Sequence, residues 1–126
     1  MNRGHCYTIT AVLLGGGTGS AVRYLALELP ISPHIATMIV NLLASFLLGI
    51  LTATKSRFKQ PLFVGLGVGF CGGLSTMSTF GYDVVQIFHE SVAFLTIYLS
   101  VSIIGGITLA FIGYMIGKRI NRGDNH

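Results

Sequence analysis

Charge is what this sequence has least of. Only 10% of its 126 residues are Asp, Glu, Lys or Arg, against 52% that are hydrophobic. That balance excludes an ordinary soluble domain, in which roughly a quarter of the residues are charged. The solvent it suits is lipid. The few charges are gathered into short groups, and the apolar stretches between them run for roughly 20 residues, about the length a helix needs to cross a bilayer. This leaves room for about four spans and almost nothing else. Without an extramembrane domain there is no place for a soluble active site, so function must reside in the membrane or between subunits. Cysteine is scarce too: Cys6 and Cys71 have no metal-site spacing and are read as free thiols. The net charge of +4 sits in loops and tails beside apolar segments, which points to membrane orientation and away from a nucleic-acid surface.

The expected fold is therefore an all-α integral membrane protein of four transmembrane helices, one domain over residues 1–126, with spans at about 7–29, 35–54, 62–88 and 92–116. The first segment has the look of a signal peptide, with Arg3 before an apolar run, but three further spans and the polar Arg23 favour a retained helix. Gly15 and Gly19 in the first span, and Gly65, Gly69 and Gly73 in the third, recur at intervals of four and predict close helix packing. A GxGxxG match at Gly67–Gly72 lies inside an apolar helix without a strand before it, so packing explains those glycines better than a dinucleotide does.

The third span changes character midway. From Gly72 to Gly81 it combines three glycines with Ser75, Thr76, Ser78 and Thr79, a composition poor in helix propensity and rich in competing hydroxyls. A local break is predicted, and in lipid a break is tolerated only where protein or a polar cavity surrounds it. Asn41, in the second span, serves either as glue between helices or as a donor toward a guest. The hydroxyl run shifts the balance toward a lined pathway, and donors without a buried acidic cluster suit an anion better than a cation.

Arg23 has two readings, a side chain that snorkels to the interface or a source of positive potential for an entering anion. Asp83 is expected close to water, with Arg23 as a partner or with a place in a polar vestibule. Met77 and Phe80 stand three apart, which is ordinary core spacing, yet an aromatic ring edge is positive and can hold a desolvated anion. At the break, freed carbonyls suit a cation, and a half-helix N-terminus suits an anion. Seven basic residues (Arg3, Lys55, Arg57, Lys59, Lys118, Arg119 and Arg122) fall on the side of both termini, and Arg23 alone falls on the other. The termini are expected in the cytoplasm.

Three stretches together resemble the small Fluc (CrcB-type) fluoride channels over essentially the whole chain: Gly16–Tyr24, Thr37–Leu42 and Gly69–Phe80. The resemblance implies a passive fluoride channel of the cell membrane and not an enzyme, built as an antiparallel dimer with two pores at the subunit interface. It implies that Asn41 donates to fluoride, that Phe80 offers its ring edge, and that Tyr98 and Ser102 continue a polar track. The carbonyls of Gly72 and Ser75 would share a structural sodium ion at the dimer centre.

Asp83 stands where the family usually has glutamate, Gly106 where some relatives have a pore hydroxyl, and Met77 where the motif normally has phenylalanine. Met77 either lines a pore that holds fluoride less well or merely packs. An antiparallel homodimer needs a sequence that inserts both ways, and seven basic residues against one is not balanced. The dimer partner is thus expected to be a related subunit of opposite charge bias, or else a second copy. A proton-coupled small multidrug transporter is the competing class, but it needs a carboxylate within the first span, and only Glu28 at its end is available. A third reading is a non-conducting accessory subunit.

Overall fold

The computed structural model describes residues 2–124 and is helical almost throughout. Helix α1 spans Arg3–Leu27 and α2 spans Pro33–Ala53, with a short turn between them. Pro33 opens α2 at a position where a missing N–H costs nothing. A 3₁₀ turn at Lys55–Arg57 leads to α3 (Gln60–Val64), which runs on as a π-helix over Gly65–Cys71 and a last α-turn, α4 (Gly72–Leu74). After the break come α5 (Met77–Glu90) and α6 (Val92–Gly123).

Three stretches are long and apolar enough to cross a membrane: Pro33–Ala53, Gln60–Glu90 taken across its break, and Val92–Gly123. Helix α1 has the length, at 25 residues, but its run of glycine, serine and threonine makes it less apolar. The chain is thus a multi-pass membrane protein by the length and apolarity of its helices. Its large apolar side chains support this, because Leu13, Leu14, Ile104, Ile107 and Phe111 all face outward, and lipid is a solvent in which such a surface is favourable.

Glycine decides which helices meet. A Cβ on Gly15 would collide with the Gly65 carbonyl, and one on Gly19 with the Phe70 carbonyl. From the other side, a Cβ on Gly69 would come within 2.8 Å of the Val12 carbonyl. Backbone therefore rests on backbone along α1 and the 60–74 segment. Helices α2 and α6 pair in the same way, with Gly49 against Ala110 and Gly113 against Phe46. A small core of Val40, Ala44 and Leu74 joins α2 to the break, with Ala26, Leu47 and Phe70 around it.

Two features differ from the sequence reading. The 65–71 stretch, expected as plain α-helix, is wound as a π-helix, a local widening often found at functional sites. The last helix also runs beyond residue 116, so Lys118, Arg119 and Arg122 are helical. Arg57 anchors that end, bonding the Ile120 carbonyl at 2.9 Å and Asn121 Oδ1 at 3.2 Å, and pairing with Asp124.

Candidate functional site: a polar cleft at the helix break

The break consists of two extended residues, Ser75 (φ −77°, ψ 158°) and Thr76 (φ −147°, ψ 121°). Asn41 reaches across from α2 and replaces the helical bonds lost there. The Thr76 N–H donates to Asn41 Oδ1 at 2.7 Å, and Asn41 Nδ2 donates to the Thr76 carbonyl at 3.2 Å. Asn41 is therefore the glue of the sequence reading, and only one amide hydrogen remains for a guest. Ser45, one turn along α2, donates to the Asn41 carbonyl at 3.0 Å and fixes the same corner.

This rearrangement strips two carbonyls of their helical donors. The Thr76 N–H that would serve the Gly72 carbonyl is taken by Asn41, and the Thr79 N–H that would serve Ser75 donates instead to Thr76 Oγ1 at 3.2 Å. Thr76 is thus the N-cap of α5. Arg23 Nη1 donates to the Ser75 carbonyl at 3.2 Å. Arg23 does not pair with Asp83; it lies half-buried against the break, where its charge adds to the dipole at the start of α5.

Beside the break lies a cleft of about 280 Å³ lined by Asn41, Ser45, Ser75, Thr76, Met77, Phe80, Ser102 and Ile103. None of these carries a carboxylate. Ser102 Oγ is buried there without a hydrogen-bond partner. Met77 is 80% exposed at the cleft's margin. The Phe80 ring stacks on Tyr98, with centroids 5.6 Å apart and planes 21° from parallel, so its edge remains available.

Ser78 and Thr79 do not line this cleft. The two Thr hydroxyls lie 3.2 Å apart, Ser78 Oγ is 3.3 Å from Thr76 Oγ1, and all three satisfy one another around the α5 cap. A cap hydroxyl is committed to backbone donors before any guest arrives.

Asp83 departs further from expectation. It is 3% exposed, away from water, and its partners are Tyr98 and His34. The Tyr98 hydroxyl donates to Asp83 Oδ2 at 3.0 Å, and His34 Nδ1 lies 2.9 Å from Oδ1. Sequence reasoning missed His34 and Ser45. For Ser45 the signal was its i+4 spacing from Asn41; for His34 it was a polar ring two turns before Asn41 on the same helix. Cys6 and Cys71 are both free, one exposed and one buried.

The chain is similar to known proteins over most of its length. Residues 10–114 match the family model described as "CrcB-like protein, Camphor Resistance (CrcB)". The chain is 42% identical over 122 residues to the fluoride-specific ion channel FluC of Pyrococcus furiosus, an alignment covering 88% of this chain and 96% of the relative. It is 40% identical to the fluoride-specific ion channel FluC 2 of Bacillus subtilis, covering 88% of each chain. The corresponding identity to FluC 2 of Halalkalibacterium halodurans is 38%, covering 89% of this chain and 87% of the relative. A break clasped by Asn41, a carboxylate-free cleft and these matches converge: the chain belongs to the CrcB family of fluoride-specific ion channels, and it is not an enzyme.

Proposed function

We propose that this chain is one subunit of a passive, fluoride-selective channel whose path runs through the cleft at the helix break. The observation that carries the reading is the cleft's chemistry: a buried Ser102 hydroxyl without a partner and a spare Asn41 amide hydrogen, with no carboxylate in the lining. A small anion leaving water loses strong hydrogen bonds, and donors already fixed in place offset that loss without reorganising. Asn41 and Ser102 would donate, and the Phe80 edge would oppose negative charge with its positive rim. Arg23 lends positive potential where the anion nears the start of α5.

Helix α1 supplies the fourth span, with its glycine face covered by the 60–74 segment. Both termini then lie on one side, and the basic bias of seven residues against one puts that side in the cytoplasm. Exposed Met77 stands in the lining of the open cleft, and an antiparallel partner covering it would close the cleft into a pore.

The Gly72 and Ser75 carbonyls, relieved of helical donors, suit a sodium ion by donor type, and the second lone pair on Ser75 remains beside the Arg23 bond. Such an ion would supply fixed positive charge between subunits; the chain's own contribution is to aim those carbonyls. The charge bias favours a partner of opposite bias, giving two unequal pores. A second reading, a subunit that contributes structure more than conduction, draws on Met77, which brings a thioether where a ring edge would face the path.

Fluoride and chloride release from liposomes, followed with ion electrodes, tests this. Fluoride release with little chloride is expected from the conducting assembly. Activity of the chain alone supports a homodimer; silence relieved by a charge-reversed partner supports the heterodimer. Release of neither ion by either preparation contradicts the channel reading.

A further inference from the structure

A cleft beside a break within an apolar span needs a connection to water. On α2 the break cleft ends at Ser45. A second cleft, of about 310 Å³, begins at the same residue and is lined by Ser45, Leu48, Gly49, Thr52, Ala110 and Tyr114. Because Ser45 borders both, the two clefts adjoin along the α2–α6 pair. Where they meet, α6 brings Gly106: a Cβ there would stand 3.6 Å from Ser45 Oγ, so glycine leaves the junction clear on that side. A separate groove on the same helix pair, lined by Ile39, Leu42, Leu43, Phe46 and Leu109, has no polar side chain in its walls.

The second cleft holds no hydroxyl hydrogen ready for an anion along α2. Ser45 donates to the Asn41 carbonyl at 3.0 Å, and Thr52 donates to the Leu48 carbonyl at 2.7 Å, so both hydrogens are taken. An anion there must keep its water, which makes this stretch a conduit and not a binding station.

Its far end is different. Tyr114 lines it, and the Lys118 ammonium lies 5.2 Å from the centre of the Tyr114 ring, a distance at which the negative face of a ring attracts a cation. Among the described residues no carboxylate pairs with Lys118. Lys55, near the same end of α2, lies instead 5.5 Å from the Phe63 ring, beside a different groove. Lys118 is sixteen residues beyond Ser102 on α6, a rise of about 24 Å, enough to bring it from inside an apolar layer about 30 Å thick to the surface.

We propose that the fluoride path continues from the break cleft past Gly106 into this second cleft, and that Lys118, held over the Tyr114 ring, gathers fluoride at its mouth. The inference rests on the fluoride-channel reading and adds to it a route to water and a residue that sets the rate of arrival. The plain alternative is a lysine that snorkels and only anchors α6 at the interface. Ionic strength separates the two roles, because salt screens a charge acting on a passing ion and leaves an anchor's effect on folding much as it was.

The test is fluoride release from liposomes at about 0.01 M and about 1 M potassium glutamate, where the screening length is about 30 Å and about 3 Å. It uses the preparation that conducts. Lys118→Gln should lower release about threefold at the lower salt, the effect of one unit charge about 6 Å from the ion in water, and should match the parent at the higher salt. Lys118→Arg keeps the charge and should keep the parent rate at both. Arg119→Gln removes the same charge from the neighbouring residue, so it controls for membrane orientation and for surface potential, and it should lose clearly less than Lys118→Gln.

Parent-like release by Lys118→Gln at the lower salt overturns the proposal. So does a loss of equal factor at both salt levels, which marks an anchor, or an equal loss in Arg119→Gln, which marks general surface potential. If no preparation releases fluoride, the channel reading fails separately, and the second cleft is judged by labelling. In a chain with Cys6 and Cys71 replaced by Ala, Ala110→Cys lines the cleft and should react in liposomes with a membrane-impermeant sulfonated methanethiosulfonate. Phe111→Cys, at a position that faces outward, should stay inert. Equal labelling at the two positions, high or low, refutes a water-filled second cleft.

Discussion

A buried hydroxyl without a partner is ordinarily a liability, costing about 1–3 kcal/mol against a satisfied or absent one. Ser102 Oγ is such a group, and it sits in the cleft beside Asn41 and Phe80. If its purpose is to meet fluoride, Ser102→Ala should leave the thermal unfolding midpoint unchanged or slightly raised, since no protein bond is lost, while fluoride release falls several-fold. Equal loss of stability and release would mean the hydroxyl serves packing. Met77 tests the same path from the opposite direction. A ring at that position adds the positive edge that a thioether lacks, worth about 0.5–1.5 kcal/mol in aromatic contacts, so Met77→Phe should raise fluoride release up to about tenfold. No change would show that Met77 only packs.

At this scale the sequence disclosed residue types better than partners. Asn41 was visible as a costly amide in an apolar span, Phe80 through the family motif, and Ser102 only as what the family resemblance implies. The pairing of Asp83 with His34 was not visible. The two lie on different helices, and nothing in local spacing says which faces meet. The contacts of Ser78 and Thr79 were hidden for a related reason: their hydroxyls bond around the first turn of a half-helix, which has its own unsatisfied donors to serve.

Among the elements, glycine carries the specificity. Where a Cβ would strike backbone, no rotamer can relieve the clash, so the helices must move apart. Gly15→Ala should lower stability by about 1–3 kcal/mol, read as a reduced unfolding midpoint in detergent, because its Cβ would meet the Gly65 carbonyl. Gly17→Ala, two residues along the same helix with open space around it, should be neutral or stabilising by up to about 1 kcal/mol through helix propensity. Equal effects at the two positions would contradict the packing described.

The intervals of four among these glycines were legible in the sequence, and so was the break, because hydroxyl residues and glycine together weaken a helix. The π-helical winding of Gly65–Cys71, the segment against which α1 packs, was not.

For the whole molecule, the charges outside the membrane and the cleft inside it answer different questions. If the seven basic residues of the termini and the 55–59 loop fix how the chain inserts, as proposed, tags at either terminus should be cytoplasmic in all copies, read by protease access in sealed vesicles. Mixed accessibility would contradict a fixed orientation and restore the homodimer.

In the proposed reading the cleft is an anion route and determines what passes. Asn41→Asp places a carboxylate there while keeping the oxygen that accepts from the Thr76 N–H. The measurement is fluoride release from liposomes carrying this variant, with folding confirmed by an unfolding midpoint close to that of the parent. Release reduced to at most about one-tenth of the parent rate is the predicted result, from one negative charge within a few ångströms of the ion. Release at the parent rate from the folded variant would show that fluoride does not travel past Asn41.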